Sequence, residues 1–201
     1  MPLRSSFLVL FLLIASCTTT TEVDPLAGYE EVDLTTVLDA PSPQAGQSSI
    51  GGRERASDGK YMVELLGCGV CHTDGALIGE PNLDRSFAGS HIGIAWKNPL
   101  GNERPGIVYP PNITPDVDTG IGSWSDQQIA AAIRYGVGRH GSRRITVMPW
   151  QGYAKISDDD VVAITAYLRS IEPISHEVPG EVEPGQRATE PFVYFGVYRS
   201  K

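Results

Sequence analysis

Cys68-Gly69-Val70-Cys71-His72 sets two thiols three positions apart, with an imidazole directly after the second. Each thiol can form a thioether bond to a haem vinyl group. The imidazole that follows can ligate the iron from one side, and C-x-x-C-H is the attachment pattern of c-type haem. Two other chemistries use a C-x-x-C pair. Thiol–disulfide exchange expects a βαβ context, which the surrounding sequence lacks. Structural zinc wants two further ligands in a second close cluster. The one other cysteine, Cys17, lies far upstream, and His91, His140 and His176 read as scattered and unpaired. The residues therefore point to one covalently bound haem c, with Cys68 and Cys71 as its tethers and His72 as an iron ligand.

A haem iron held by one histidine needs a sixth ligand or keeps an open site. Methionine and histidine are the usual choices in electron carriers. Of the three methionines, Met1 opens the chain and Met62 is too near Cys68 to reach the opposite haem face. Met148 remains, in Val147-Met148-Pro149-Trp150, where Pro149 stiffens the segment that presents the sulfur. The alternatives are a gap-filling role for Met148, or His91 or His140 as the ligand. An open iron site would instead suit a haem enzyme or sensor. A ligating imidazole normally donates its other N–H to a carbonyl. Pro81, in Gly79-Glu80-Pro81-Asn82-Leu83, is the candidate carbonyl, the alternative being a simple turn. The predicted metal ligands are thus His72 and Met148, and no residue is predicted to be catalytic.

Three helices must position these groups. The first is predicted near Asp58–Cys68, capped by Ser57 or Asp58, with Met62, Leu65 and Leu66 on one face. The second is predicted over Asp126–Val137, opened by a Ser125/Gln128 capping box and ended by Gly136 and Gly138. The third is predicted over Asp158–Ser170. Ser157 caps it, three aspartates sit at its positive end and Arg169 at its negative end. Residues 73–124 are rich in Gly, Pro and Asn, with little periodicity and no strand pattern. A structureless run of that length is unusual in a compact domain, unless a macrocycle supplies the apolar core that the loops wrap.

The 201 residues, 41% hydrophobic and 20% charged, suit one globular domain with extra segments. A net charge of −8 argues against nucleic acid and against a polybasic membrane patch. Arg4 followed by the apolar run Phe7 to Ala15 reads as an export signal, too short to span a bilayer. Leu13-Ile14-Ala15-Ser16-Cys17 matches a bacterial lipoprotein cleavage box, making Cys17 the lipidated first mature residue. The alternative is an ordinary signal cut near Ser16. The expected organisation is a signal peptide over 1–16, a lipidated N-terminus and tether over 17–56, a haem domain over 57–171 and a C-terminal extension over 172–201. If flexible, residues 18–56 have a root-mean-square reach of about 35 Å. The extension ends in an aromatic run, Phe192 to Tyr198, expected to pack on the domain, the alternative being contact with a partner.

Beyond the haem motif, the chain carries Asn112-Ile113-Thr114-Pro115-Asp116, Thr119 to Ser125, Gly138-Arg139-His140-Gly141-Ser142-Arg143, Met148-Pro149-Trp150 and Tyr153-Ala154-Lys155. Asp159-Asp160-Val161 then leads to Ala166-Tyr167-Leu168. With these motifs the chain resembles class I cytochromes c. Within that class it more closely resembles the haem-c modules in the cytochrome subunits of bacterial membrane-bound alcohol, aldehyde and gluconate dehydrogenases. The resemblance implies an all-α domain wrapped around one haem, with first and last helices crossing beside it and His72 and Met148 as axial ligands. It implies an electron carrier rather than an enzyme, passing electrons from a periplasmic dehydrogenase toward a quinone or terminal oxidase. Those subunits usually carry three such modules, whereas this chain has one C-x-x-C-H. A single-haem shuttle, or a haem-bearing subunit of a larger dehydrogenase or respiratory complex, is the resulting expectation. Its partners would be redox proteins and a periplasm-facing membrane.

Overall fold

The structure is a computed structural model and describes residues 29–31, 52–96, 104–139, 147–195 and 198–200, with the backbone alone for 29–31, 52–54 and 198–200. The predicted signal, Cys17, most of the tether and His140 lie outside the described residues. In chain order the elements begin with strand β1 (Tyr29–Glu31), helix α1 (Gly52–Leu65) and helix α2 (Cys68–His72). Strands β2 (Gly93–Trp96) and β3 (Gly106–Val108) follow, then helices α3 (Asp126–Tyr135), α4 (Trp150–Tyr153) and α5 (Asp158–Ser170). Strands β4 (Phe192–Tyr194) and β5 (Tyr198–Ser200) close the chain.

The first helix differs from its expected bounds at both ends. It starts at Gly52, so Ser57 and Asp58 lie inside it and cap nothing. It stops at Leu65 because Gly67 adopts φ 68°, a left-handed conformation that ends a right-handed helix. The chain then re-enters a short helix, α2, which carries the whole C-x-x-C-H run. The break lets the haem motif take its own axis rather than continue that of α1.

α1 and α5 cross in close contact, and Gly59 makes the crossing possible. A Cβ at residue 59 would sit 1.9 Å from the Ala163 carbonyl oxygen and 2.9 Å from Tyr167 Cβ. Around the crossing, Val63 of α1 packs with Ile164 and Leu168 of α5, Ile129 of α3 and the loop residue Ile121.

α3 and α5 form as their sequences dictate. Ser125 Oγ accepts the Gln128 N–H at 3.2 Å, and Gln128 Oε1 accepts the Ser125 N–H at 2.8 Å. Ser157 Oγ accepts the Asp160 N–H at 3.1 Å. Two arginines fasten these helices together. Buried Arg134 of α3 donates to the Ile156 carbonyl at 2.8 Å and pairs with Asp158 at the start of α5. Arg169 does more than sit at a dipole end: it pairs with Asp126 at 2.9 Å and donates to the Trp124 carbonyl.

The domain is helical but not all-α. β2 pairs antiparallel with β3 and parallel with β4, and β1 pairs antiparallel with β5. These strands were invisible in the sequence for a physical reason. β2 and β3 are three or four residues long and almost wholly buried, so they show no alternation of apolar and polar positions. The aromatic end docks through its backbone, whereas Phe192 and Phe195 keep their rings exposed.

Candidate haem site

Cys68, Cys71, His72 and Met148 all line one cleft. α3 supplies Ile129 and Ile133 to its wall, and α5 supplies Ile164 and Leu168. β2 and β3 add Ile94 and Val108, and the α4 segment adds Trp150 and Tyr153. The empty space is ≈ 1310 Å³ counted out through the open mouth, and apolar side chains make up most of its walls. The core residues Ile121, Ile129, Ile164 and Leu168 are also wall residues. This cluster of the apolar core is thus built around the cleft rather than beside it.

His72 is oriented by one strong contact. Its Nδ1 lies 2.8 Å from the Pro111 carbonyl oxygen. A carbonyl can only accept, so Nδ1 carries the proton and, in the neutral ring, Nε2 carries the lone pair. That is the tautomer a metal-ligating histidine needs. The expected partner, Pro81, is not the one used. Pro81 sits on an exposed turn held by Glu80 N–H to Gly75 O and Asn82 N–H to Asp74 O. Pro111 lies 39 residues from His72, and the pair Pro110-Pro111 before Asn112 was the available signal: two rigid residues with no N–H to compete for the carbonyl.

The two thiols are free of a disulfide. Burial pushes the Cys68 thiol up to about 11, with the neighbouring Cys71 adding to the shift, and burial raises Cys71 as well. Thiols kept neutral in this way do not suit thiolate attack. Among the described residues, no three of His, Cys, Asp and Glu are placed to hold a metal ion. Burial, then the charges of Cys68 and Cys71, push the Tyr153 phenol up to about 12. It remains a donor, to the Leu66 carbonyl at 3.1 Å, and so ties the wall near Met148 to the turn before Cys68.

His91, expected to be solitary and weighed as an iron ligand, has other company. Its ring centroid is 4.7 Å from that of His176, and its Nδ1 is 3.7 Å from Asp74. It does not line the cleft. His176 is 7% exposed, with Nδ1 2.8 Å from the Ala88 carbonyl.

The cytochrome c family model matches residues 56–172. The chain belongs to the cytochrome c family. Among its relatives, the cytochrome c subunit of a quinone-dependent alcohol dehydrogenase from Gluconobacter oxydans is 34% identical over 118 residues, 58% of this chain and 22% of that protein. The cytochrome subunit of a fructose dehydrogenase from Gluconobacter japonicus is 30% identical over 63% of this chain and 24% of its own length. The cytochrome c subunit of a gluconate 2-dehydrogenase from Pantoea cypripedii is 34% identical over 58% of this chain and 23% of its own length. The chain thus spans less than a quarter of the length of these relatives.

The family's cofactor is covalent haem c, and the residues of this cytochrome fit it. The cleft is apolar, the two thiols that line it are free of a disulfide, and the Pro111 bond leaves the proton on His72 Nδ1. Cys68 and Cys71 would hold the vinyl carbons, and His72 would hold the iron.

Proposed function

We propose that this chain is a monohaem c-type cytochrome that performs outer-sphere electron transfer between a periplasmic donor and a respiratory-chain acceptor. The observation that carries the reading is the gathering of Cys68, Cys71, His72 and Met148 on one apolar cleft, with His72 Nδ1 bonded to the Pro111 carbonyl. When bound, haem supplies an iron that alternates between ferric and ferrous states. Everything else is the work of the chain. His72 is held in the ligating tautomer, and Met148 offers a thioether that favours the ferrous state and raises the potential relative to two histidines. Ile129, Ile133, Ile164 and Leu168 exclude water. Val70, beside Cys71, is exposed, so electrons enter and leave near that edge through a small transient interface. No bond chemistry is assigned to any residue.

The relatives support a second, compatible reading, since each is named as a cytochrome subunit of a dehydrogenase. This chain is then a non-catalytic electron-transfer subunit of a larger periplasmic complex. On either reading it is exported, and Cys17 carries a lipid that keeps it at a membrane surface. No helix among the described residues is long and apolar enough to cross a membrane.

Expression with a haem-attachment system tests the reading directly. One haem per chain should survive denaturing electrophoresis, and its alkaline pyridine spectrum should be that of haem c. Cys68→Ser with Cys71→Ser should abolish retention, and haem that stays bound in that double variant would sink the attachment. Rapid carbon monoxide binding by the native ferrous protein would favour an open-site enzyme or sensor. Mass spectrometry of the mature N-terminus decides lipidation at Cys17, and co-purification from native membranes separates a free shuttle from a subunit.

A further inference from the structure

The family match ends at residue 172, yet the segment just beyond it is hydrogen-bonded to both stretches that hold His72. Asn112, directly after the Pro111 carbonyl, donates through Nδ2 to the Ile174 carbonyl at 2.7 Å. The Ile174 N–H donates to Thr114 Oγ1 at 3.2 Å, and the Thr114 hydroxyl gives its proton to Asn112 Oδ1 at 2.7 Å. The His176 N–H donates to Thr119 Oγ1 at 3.0 Å, which also accepts from Asn112 Nδ2 at 2.9 Å. The His176 ring then reaches the second stretch, with Nδ1 2.8 Å from the Ala88 carbonyl. The next N–H in the chain, that of Gly89, donates to the carbonyl of His72 itself at 2.9 Å. Asn112, Thr114 and His176 are all buried, so these bonds are shielded from competing water.

We propose that residues 173–178 form a positioning strap that fixes the Pro111 carbonyl against His72 and so sets the reduction potential of the haem iron. None of the strap's residues lines the cleft. It acts through Asn112 and Ala88. A firm Nδ1–H···O bond makes the imidazole more basic and favours ferric iron. Loosening the strap weakens that bond and favours ferrous iron, so the potential rises. Loss of Met148 from the iron would move the potential the other way, which separates strap loosening from general damage to the site. The proposal rests on haem being attached at Cys68, Cys71 and His72.

The test uses the full haem-loaded chain and two variants. His176→Ala removes the tie to Ala88, and Thr119→Val removes the acceptor shared by His176 and Asn112. Redox titration should show a higher potential in both. In the ferrous protein, exchange of the His72 Nδ1 proton, read by NMR, should quicken roughly tenfold, as expected for the loss of about one buried hydrogen bond. His176→Gln keeps a side-chain donor for Ala88 and should return both readings toward the native values. Should His176→Ala not fold, Thr119→Val alone decides. Haem-loaded variants with unmoved potentials overturn the strap and leave the functional reading standing, as does His176→Gln behaving like His176→Ala. A native chain that attaches no haem overturns both.

Discussion

Gly59→Ala should destabilise this protein, although alanine normally helps a helix. Alanine is favoured over glycine in a helix interior by about 1 kcal/mol. At residue 59 the added methyl would meet the Ala163 carbonyl oxygen at 1.9 Å and its carbon at 2.5 Å. A tolerable carbon–oxygen contact is about 3.2 Å, so the α1 and α5 backbones must part by more than an ångström, and overpacking of this kind costs typically 1–3 kcal/mol and occasionally more. Both obstacles are backbone atoms, which cannot rotate away. The overpacking wins, and a net loss of about 2 kcal/mol is expected. Gly152→Ala is the internal control. It makes the same substitution within helix α4, where a Cβ meets nothing within 4 Å, and should be neutral or stabilising by up to about 1 kcal/mol. Denaturant unfolding of the haem-loaded protein measures both, through the midpoint at unchanged slope. A Gly59→Ala protein as stable as the native one would refute the crossing geometry. Opposite signs for one substitution at two helical glycines would be hard to obtain any other way.

Three further outcomes follow from the site. Met148→Ala should abolish the weak sulfur–iron band of the ferric form and admit carbon monoxide to the ferrous iron, and persistence of the band would remove Met148 as the ligand. Tyr153→Phe deletes the donor to the Leu66 carbonyl and should cost about 1 kcal/mol in denaturant unfolding; an unchanged midpoint would mean that the bond contributes nothing. Burial pushes the Asp74 carboxyl up, but the bonds from the His91 N–H and the Ser90 hydroxyl outweigh it and hold the group below its usual 3.8. Its contribution is therefore present above pH 3.8 and lost as pH falls through the depressed value. Asp74→Asn should be less stable than the native protein at neutral pH, with the gap closing in acid. A gap that persists unchanged at low pH would refute the assignment.

Features encoded within a few residues were legible without coordinates. The C-x-x-C-H run names its cofactor by spacing alone. The Ser125/Gln128 box and the Ser157 cap fixed the starts of α3 and α5, because a cap is satisfied within three residues of itself. Even α1 erred only where a local rule competed with another: Ser57 and Asp58 look like caps, but the helix already runs from Gly52.

What the sequence by itself determined is thus the haem motif, Met148 as its sixth-ligand candidate and the capped helices, because each rests on residue type at short spacing. Tertiary structure decided which carbonyl meets His72. Pro81 is nearer in sequence, but the turn holding it is exposed, whereas Pro111 is bonded and its neighbour Asn112 is anchored to Ile174, 62 residues on. Tertiary structure also decided that β2 and β3 wall the cleft, that His91 and His176 lie together, and that the chain beyond the last helix returns to the loop that carries the Pro111 carbonyl. Each of these joins residues far apart in the chain, and no local pattern records a partner that only chain folding brings within bonding distance.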